Sequence, residues 1–154
     1  MKKLRVYLDT SVIGGCFDSE FAEWSNALME DFAAKRLVPA VSELVAAEIE
    51  VAPEEVRRKY DELLELGAEL LTIDQECLDL AAEYSRHGIL PRRFRNDLLH
   101  IAVATVANVD VLVSWNFKHV VRFDKIRLYS AVNLESGYKP LQIYSPREVV
   151  SYEE

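Results

Sequence analysis

Short apolar runs alternate along this chain with longer segments of helical periodicity. Leu4 to Leu8, Leu37 to Val41, Leu70 to Ile73, Val111 to Val113 and Leu141 to Tyr144 each read as a short strand. Between them, Phe21, Trp24, Leu28 and Phe32 recur at spacings of three and four, which predicts an amphipathic helix ending near Arg36. Pro53 introduces a charged helix from Glu54 to about Leu66, with Val56, Tyr60, Leu63 and Leu64 on one face and Gly67 as its stop. A further helix is predicted from Gln75 to His87, before Gly88. Asp97 to Ala107 is apolar on nearly every side and reads as a buried central helix, entered through the basic loop Ile89 to Asn96. Strands alternating with helices predict an α/β domain with a mainly parallel sheet.

Composition narrows the class. At 154 residues and 50% hydrophobic content, the chain fits a single domain, 1–154, able to bury a core without cross-links. The apolar stretch after Met1-Lys2-Lys3 stops at Asp9, too soon for a signal peptide, and no run approaches the roughly 18 apolar residues of a membrane span. No membrane association and a cytoplasmic location are expected. Cys16 and Cys77 lie far apart in sequence without metal-ligand spacing, so they read as reduced structural thiols. Eighteen basic against 26 acidic residues give a net charge of -8, which excludes nucleic-acid binding through a global positive field. An anionic substrate would need a local basic patch or a metal.

The acids offer the chemistry. Asp9 closes the first apolar run and is followed by Thr10 and Ser11, which puts a carboxylate at the carboxyl edge of a sheet. Such an acid either caps the turn or the following helix, or faces a ligand. With Ser42 as a helix cap and about 100° per residue, Leu44, Val45 and Glu48 fall within about 100° of one another, while Glu43 and Glu50 lie on the far side. Glu48 on an apolar stripe requires a cation or hydrogen-bond partners. Asp97 opens the buried helix, where an acid also suits the helix dipole, with Asn96 available as the cap. Asn116 follows the strand Val111 to Val113, and it is both a good helix cap and a neutral oxygen ligand. Hard oxygen donors without paired His or Cys suit Mg²⁺ or Mn²⁺, which polarise phosphodiesters and activate water.

These residues resemble the PIN-domain nucleases, the family that includes VapC-type toxins of toxin–antitoxin pairs. Val6-Tyr7-Leu8-Asp9-Thr10-Ser11-Val12 is similar to the family's opening strand with its first metal-binding Asp. Val41 to Ile49 is similar to the second block, whose acid before the Ile is Glu48 here, and Asn96 to Ala104 to the third, with Asp97. Ser114-Trp115-Asn116 to His119, with Asn133 to Tyr138 and Ile143 to Pro146, resembles one subgroup, and Asn116 stands where many members have Asp.

The resemblance implies a three-layer α/β/α fold, divalent-metal-dependent hydrolysis of RNA, an antitoxin partner and a homodimer. It assigns Mg²⁺ or Mn²⁺ to Asp9, Glu48 and Asp97, with Asn116 orienting the metal or water and Thr10 or Ser11 near the phosphate. Arg93 and Arg95 before Asp97, and Lys118 and His119 after Asn116, would contact substrate phosphates. Arg92 and Arg122 belong to the same two clusters, whose alternative is solvated loop charge, and Arg92 reads equally either way. His119 reads as a general acid or, more simply, a capping or supporting group, and Phe94 and Trp115 as base-stacking or core aromatics. A non-catalytic PIN-like module that binds RNA or protein competes, motivated by Asn116. A haloacid-dehalogenase-like phosphatase would place a second Asp two residues after Asp9, where Ser11 stands.

Overall fold

The computed structural model describes residues 2–152, so Met1, Glu153 and Glu154 of the expected 1–154 domain lie outside the described residues. In chain order the elements are β1 (Arg5–Leu8), α1 (Thr10–Gly15), α2 (Ala22–Ala33), β2 (Val38–Ser42), α3 (Glu43–Ile49), α4 (Glu54–Glu65) and β3 (Glu69–Leu71). There follow α5 (Gln75–Arg86), a 3₁₀ turn (Arg92–Phe94), α6 (Arg95–Val106), β4 (Val111–Val113), α7 (Phe123–Glu135), β5 (Ile143–Tyr144) and α8 (Pro146–Val149).

The five strands lie in the order β3-β2-β1-β4-β5, and every pairing is parallel. Helices α1 to α4 pack among themselves, and α5 packs on α6 and α7, which gives the expected three-layer α/β/α arrangement. A parallel sheet covered on both faces needs strands apolar on both sides, and Val6, Tyr7 and Leu8 are all fully buried. The chain winds outward from β1 to β2 and β3, then returns to lay β4 on the other side of β1. Ligands of open α/β sheets gather where such a reversal leaves a crevice beyond the strand ends.

Pro39 sits inside β2 without disrupting it. The N–H of Val38 donates to Leu4 O, so by alternation the nitrogen of Pro39 faces the other side, where β3 begins pairing only at Ala40. No ladder bond is lost.

Several boundaries differ from the sequence reading. Helix α2 stops at Ala33 rather than near Arg36, because Lys35 enters the left-handed region at φ 59°. Strand β3 ends at Leu71, opposite Ser42, where β2 gives way to α3. Helix α6 starts at Arg95, two residues before Asp97, and Phe94 rather than Asn96 occupies the cap position, with no side-chain cap bond. The stretch expected as a plain basic loop has Ile89 and Leu90 buried and a 3₁₀ turn at Arg92–Phe94. Gly67 and Gly88 end α4 and α5 as expected, at φ 88° and 70°. Cys16 and Cys77 are free, buried thiols, each pushed up to about 11 by burial. Among the described residues no helix is long and apolar enough to cross a membrane.

Candidate functional site

Beyond the ends of β1 and β4, side chains from four parts of the chain meet. Asp9 continues the β1–β4 ladder, its N–H donating to Val113 O. It occupies the residue before α1 but makes no side-chain cap bond, so capping does not account for its carboxylate. That carboxylate is buried and accepts the hydroxyl protons of Ser11 at 2.6 Å and Ser114 at 2.5 Å. Desolvation raises its pKa above the ordinary Asp range, against the opposing pull of His100 and its hydrogen-bond donors.

Glu48 lies on the inner side of α3, as the helical geometry predicts. Thr10 Oγ1 donates to its Oε1 at 2.7 Å, and His100 Nε2, from α6, reaches the same oxygen at 2.7 Å. Burial pushes this carboxylate up, but the hydrogen bond and charge of His100, with Thr10, outweigh it and hold the pKa below the usual value.

Asp97, in the first turn of α6, makes no cap bond either. Its Oδ2 pairs with His119 Nδ1 at 2.9 Å and takes a long hydrogen bond of 3.5 Å from Asn116 Nδ2. Asn116 Oδ1 accepts the N–H groups of Lys118 and His119, so the oxygen expected to face a metal instead closes the turn after β4. The amide nitrogen faces Asp97. The N–H of Asn116 in turn donates to Ser114 Oγ at 2.9 Å, which completes a chain of contacts from Asp97 through Asn116 and Ser114 to Asp9. Ser11 Oγ also accepts the N–H of Trp115 at 3.0 Å.

Asp9, Thr10, Ser11, Glu48, Asp97, Asn116 and His119 are therefore brought together. Phe94 packs on the His119 ring at 4.0 Å between centroids, and Arg93 lies 4.7 Å above the Phe94 ring. Arg93 and Arg95 border a cavity of about 390 Å³ with Asn96 and Asp97. Lys118 is exposed, and Arg122 pairs with Asp124. Trp115 is a core residue, stacked on Phe21 at 4.3 Å with its Nε1 donating to Ser25.

His100 and Ser114 also belong to the site, beyond the residues that the sequence pattern predicts. The signal for His100 is its position, an ionisable side chain in the otherwise apolar body of α6. Ser114 carries none beyond following a strand.

Among the described residues no three His, Cys, Asp or Glu side chains form a ready metal cage. The donor chemistry nevertheless fits a hard divalent cation. Asp9 is a buried carboxylate held by the hydroxyls of Ser11 and Ser114, while Glu48 Oε2 and Asp97 Oδ1 accept no hydrogen bond from the described residues.

The family model described as PIN domain matches residues 6–126. Among solved structures, the fold is similar to VapBC2 from Rickettsia felis bound to a DNA fragment from their promoter, at 20% identity, covering 92% of this chain and 98% of that chain with a TM-score of 0.60. It is similar to FitAcB from Neisseria gonorrhoeae at 14% identity, 94% and 99% coverage and a TM-score of 0.58. A toxin–antitoxin complex from Klebsiella pneumoniae matches at 16% identity, 74% and 88% coverage and a TM-score of 0.56. No curated protein sequence matches.

Proposed function

This chain belongs to the PIN-domain family, and on that premise we propose that it is a Mg²⁺- or Mn²⁺-dependent ribonuclease, the toxin of a toxin–antitoxin pair, acting as a homodimer with residues 1–154 as one domain. The observation that carries the reading is the linkage of three acids from separate elements. Asp9, Glu48 and Asp97 are joined through Thr10, Ser114 and Asn116 at the sheet's reversal point. His100 and His119 each engage one oxygen of Glu48 and Asp97, while Asp9 is buried without a basic partner in hydrogen-bond contact, and a cation would offset the repulsion among the three acids.

In this reading Asp9, Glu48 and Asp97 hold the metal. When bound, Mg²⁺ or Mn²⁺ neutralises charge on the phosphodiester and supplies an activated water. The chain's own residues do the rest. Ser11 and Ser114 hold both oxygens of Asp9, and Thr10 holds one oxygen of Glu48. Asn116 and His119 hold one oxygen of Asp97 and leave the other for a ligand. Arg93, Arg95 and Lys118 supply the local positive rim that a chain of net charge -8 needs for RNA phosphates. The similar fold of a Klebsiella pneumoniae toxin–antitoxin complex supports an antitoxin partner.

Asn116 favours a second reading, a PIN-like module that binds RNA or protein with an impaired metal site. Its oxygen is occupied by the turn Asn116 to His119, and it brings no negative charge. One experiment separates the two. Incubated with single-stranded RNA, the protein should cleave with Mg²⁺ or Mn²⁺ and not with EDTA, and Asp9→Asn and Asp97→Asn should abolish cleavage while remaining folded. Cleavage that survives both substitutions overturns the assigned site, and RNA binding without cleavage at any metal concentration favours the module.

A further inference from the structure

A buried hydrogen-bond relay runs from the sheet into Glu48. Ser42, the last residue of β2, is fully buried, and its Oγ accepts the N–H of Val45 as the cap of α3. The same oxygen lies 2.8 Å from Tyr7 OH, which lies 2.7 Å from His100 Nδ1, and His100 Nε2 lies 2.7 Å from Glu48 Oε1. Tyr7 is fully buried and His100 nearly so.

The direction of donation at Glu48 follows from its partners. Ser42 Oγ, with one lone pair taken by Val45, can donate to Tyr7, Tyr7 can donate to Nδ1, and a neutral His100 then carries its proton on Nε2. A charged imidazolium reverses the first two bonds and again carries a proton on Nε2. In either state Nε2–H donates to Glu48. Thr10 Oγ1 donates to the same oxygen, so Oε1 has two donors and Oε2 is left to a ligand.

From this geometry we infer that His100 is a positioning residue for Glu48, and that Tyr7 and Ser42 are built into the core to fix the orientation of its ring. The inference rests on the proposal that Glu48 is a metal ligand. The relay holds Glu48 by one oxygen and presents the other to the cation. Burial alone requires both ring nitrogens of His100 to be partnered; what singles out this imidazole is the partner of Nε2, a carboxylate oxygen of Glu48 at 2.7 Å, with Tyr7 OH fixing the ring through Nδ1 at 2.7 Å. Supporting groups of this kind typically change metal affinity by roughly 10–100-fold when removed.

The test uses Mn²⁺ alone, titrated calorimetrically into the full chain, with melting temperature recorded alongside. His100→Asn keeps a polar group on the Tyr7 side but cannot reach Glu48, and should weaken Mn²⁺ binding about 10–100-fold. His100→Gln places an N–H near the Nε2 position and should restore most of that affinity even where its melting temperature is lowered. Tyr7→Phe, which preserves the ring packing, should weaken binding in the same direction by less and serves if His100→Asn does not fold. Glu48→Gln is the control. If Glu48→Gln leaves Mn²⁺ affinity unchanged, the metal-site reading fails and this inference with it. If Glu48→Gln weakens binding while His100→Asn, or Tyr7→Phe in its place, binds Mn²⁺ as the parent does, the relay is structural only and the inference alone is overturned.

Discussion

Replacing Asp9 by Asn separates the cost of burying a charge from the benefit of binding a cation. Asp9 is buried, desolvation raises its pKa, and Ser11 and Ser114 are its side-chain donors. Asn has the same shape. Its oxygen keeps the Ser11 bond, while its new N–H₂ faces Ser114 Oγ, which must turn its proton away and accept. Two charge-assisted bonds worth about 1.5–3 kcal/mol each become neutral ones of about 1 kcal/mol each. Against that loss, a desolvation penalty of about several kcal/mol for a carboxylate without an ion pair disappears. Metal-free Asp9→Asn should therefore be at least as stable as the parent. With Mn²⁺ at about 100 times Kd the parent gains about 2.7 kcal/mol, a rise of about 5–11 °C at about 2–4 °C per kcal/mol for a chain of this size. The variant should gain almost nothing. Differential scanning calorimetry with EDTA and with Mn²⁺ reads both effects. An equal Mn²⁺-induced rise in the two proteins would refute Asp9 as a ligand, and a metal-free variant melting far below the parent would show that the Asp9 charge supports the fold instead of burdening it.

Three further outcomes concern the frame around the site. A Cβ added at Gly15 would lie 2.6 Å from Ser25 Oγ and 2.7 Å from Trp115 Nε1, between two atoms that hydrogen-bond at 2.8 Å. Gly15→Ala should cost about 1–3 kcal/mol through overpacking, read as a lower urea midpoint, and an unchanged midpoint would show that Trp115 moves freely. Asn133 is fully buried, accepts from Tyr84 OH and donates to Thr105 Oγ1, tying α5, α6 and α7 together. Asn133→Ala leaves Tyr84 and Thr105 short of partners and should lower stability by about 1–3 kcal/mol, whereas a loss below about 0.5 kcal/mol would mean the network rearranges at no cost. Glu69 is held below its ordinary pKa by the hydrogen bond from Arg5, against burial and with the Arg5 charge adding. A depressed folded pKa stabilises the fold above the ordinary glutamate value, and that contribution fades as pH falls through the folded value. Glu69→Gln should therefore lower the unfolding free energy at neutral pH by less than about 1 kcal/mol, read from urea unfolding, since the pair is partly exposed, and the difference from the parent should close only once the pH has fallen below the ordinary glutamate range and through the depressed folded value. A difference independent of pH would assign the effect to packing.

The parts of the molecule that were legible in the sequence are those set by local periodicity. Asp9 follows an apolar run because β1 is buried on both faces, and Glu48 stands out because Leu44 and Val45 define the inner side of α3. Helix α7 is not marked by a clear apolar stripe in the sequence. Its apolar residues Phe123, Leu128 and Leu134 are exposed, at 77%, 46% and 61%, which blurs the helical stripe. The start of α6 is hard to read from residue type because no side chain caps it, and Asn96 has the right chemistry for a cap in the wrong position. Asn116 shows the limit of residue type as a guide. Its oxygen suits a metal or a turn, and only the placement of the Lys118 and His119 N–H groups decides which. The contacts that join the acids, such as Ser114 to Asp9 and His100 to Glu48, connect residues far apart in sequence, and no local pattern encodes them. Asn133, in the stretch that marks the subgroup resemblance, serves the core.

The proposed function stands or falls with a divalent cation held by Asp9, Glu48 and Asp97 at the reversal point of the sheet. Anomalous diffraction from crystals grown with Mn²⁺ tests it most directly. A manganese peak is expected in contact with the Asp9 carboxylate and with oxygens of Glu48 and Asp97. A peak elsewhere on the molecule, or no peak at an ion concentration that supports RNA cleavage, would contradict it.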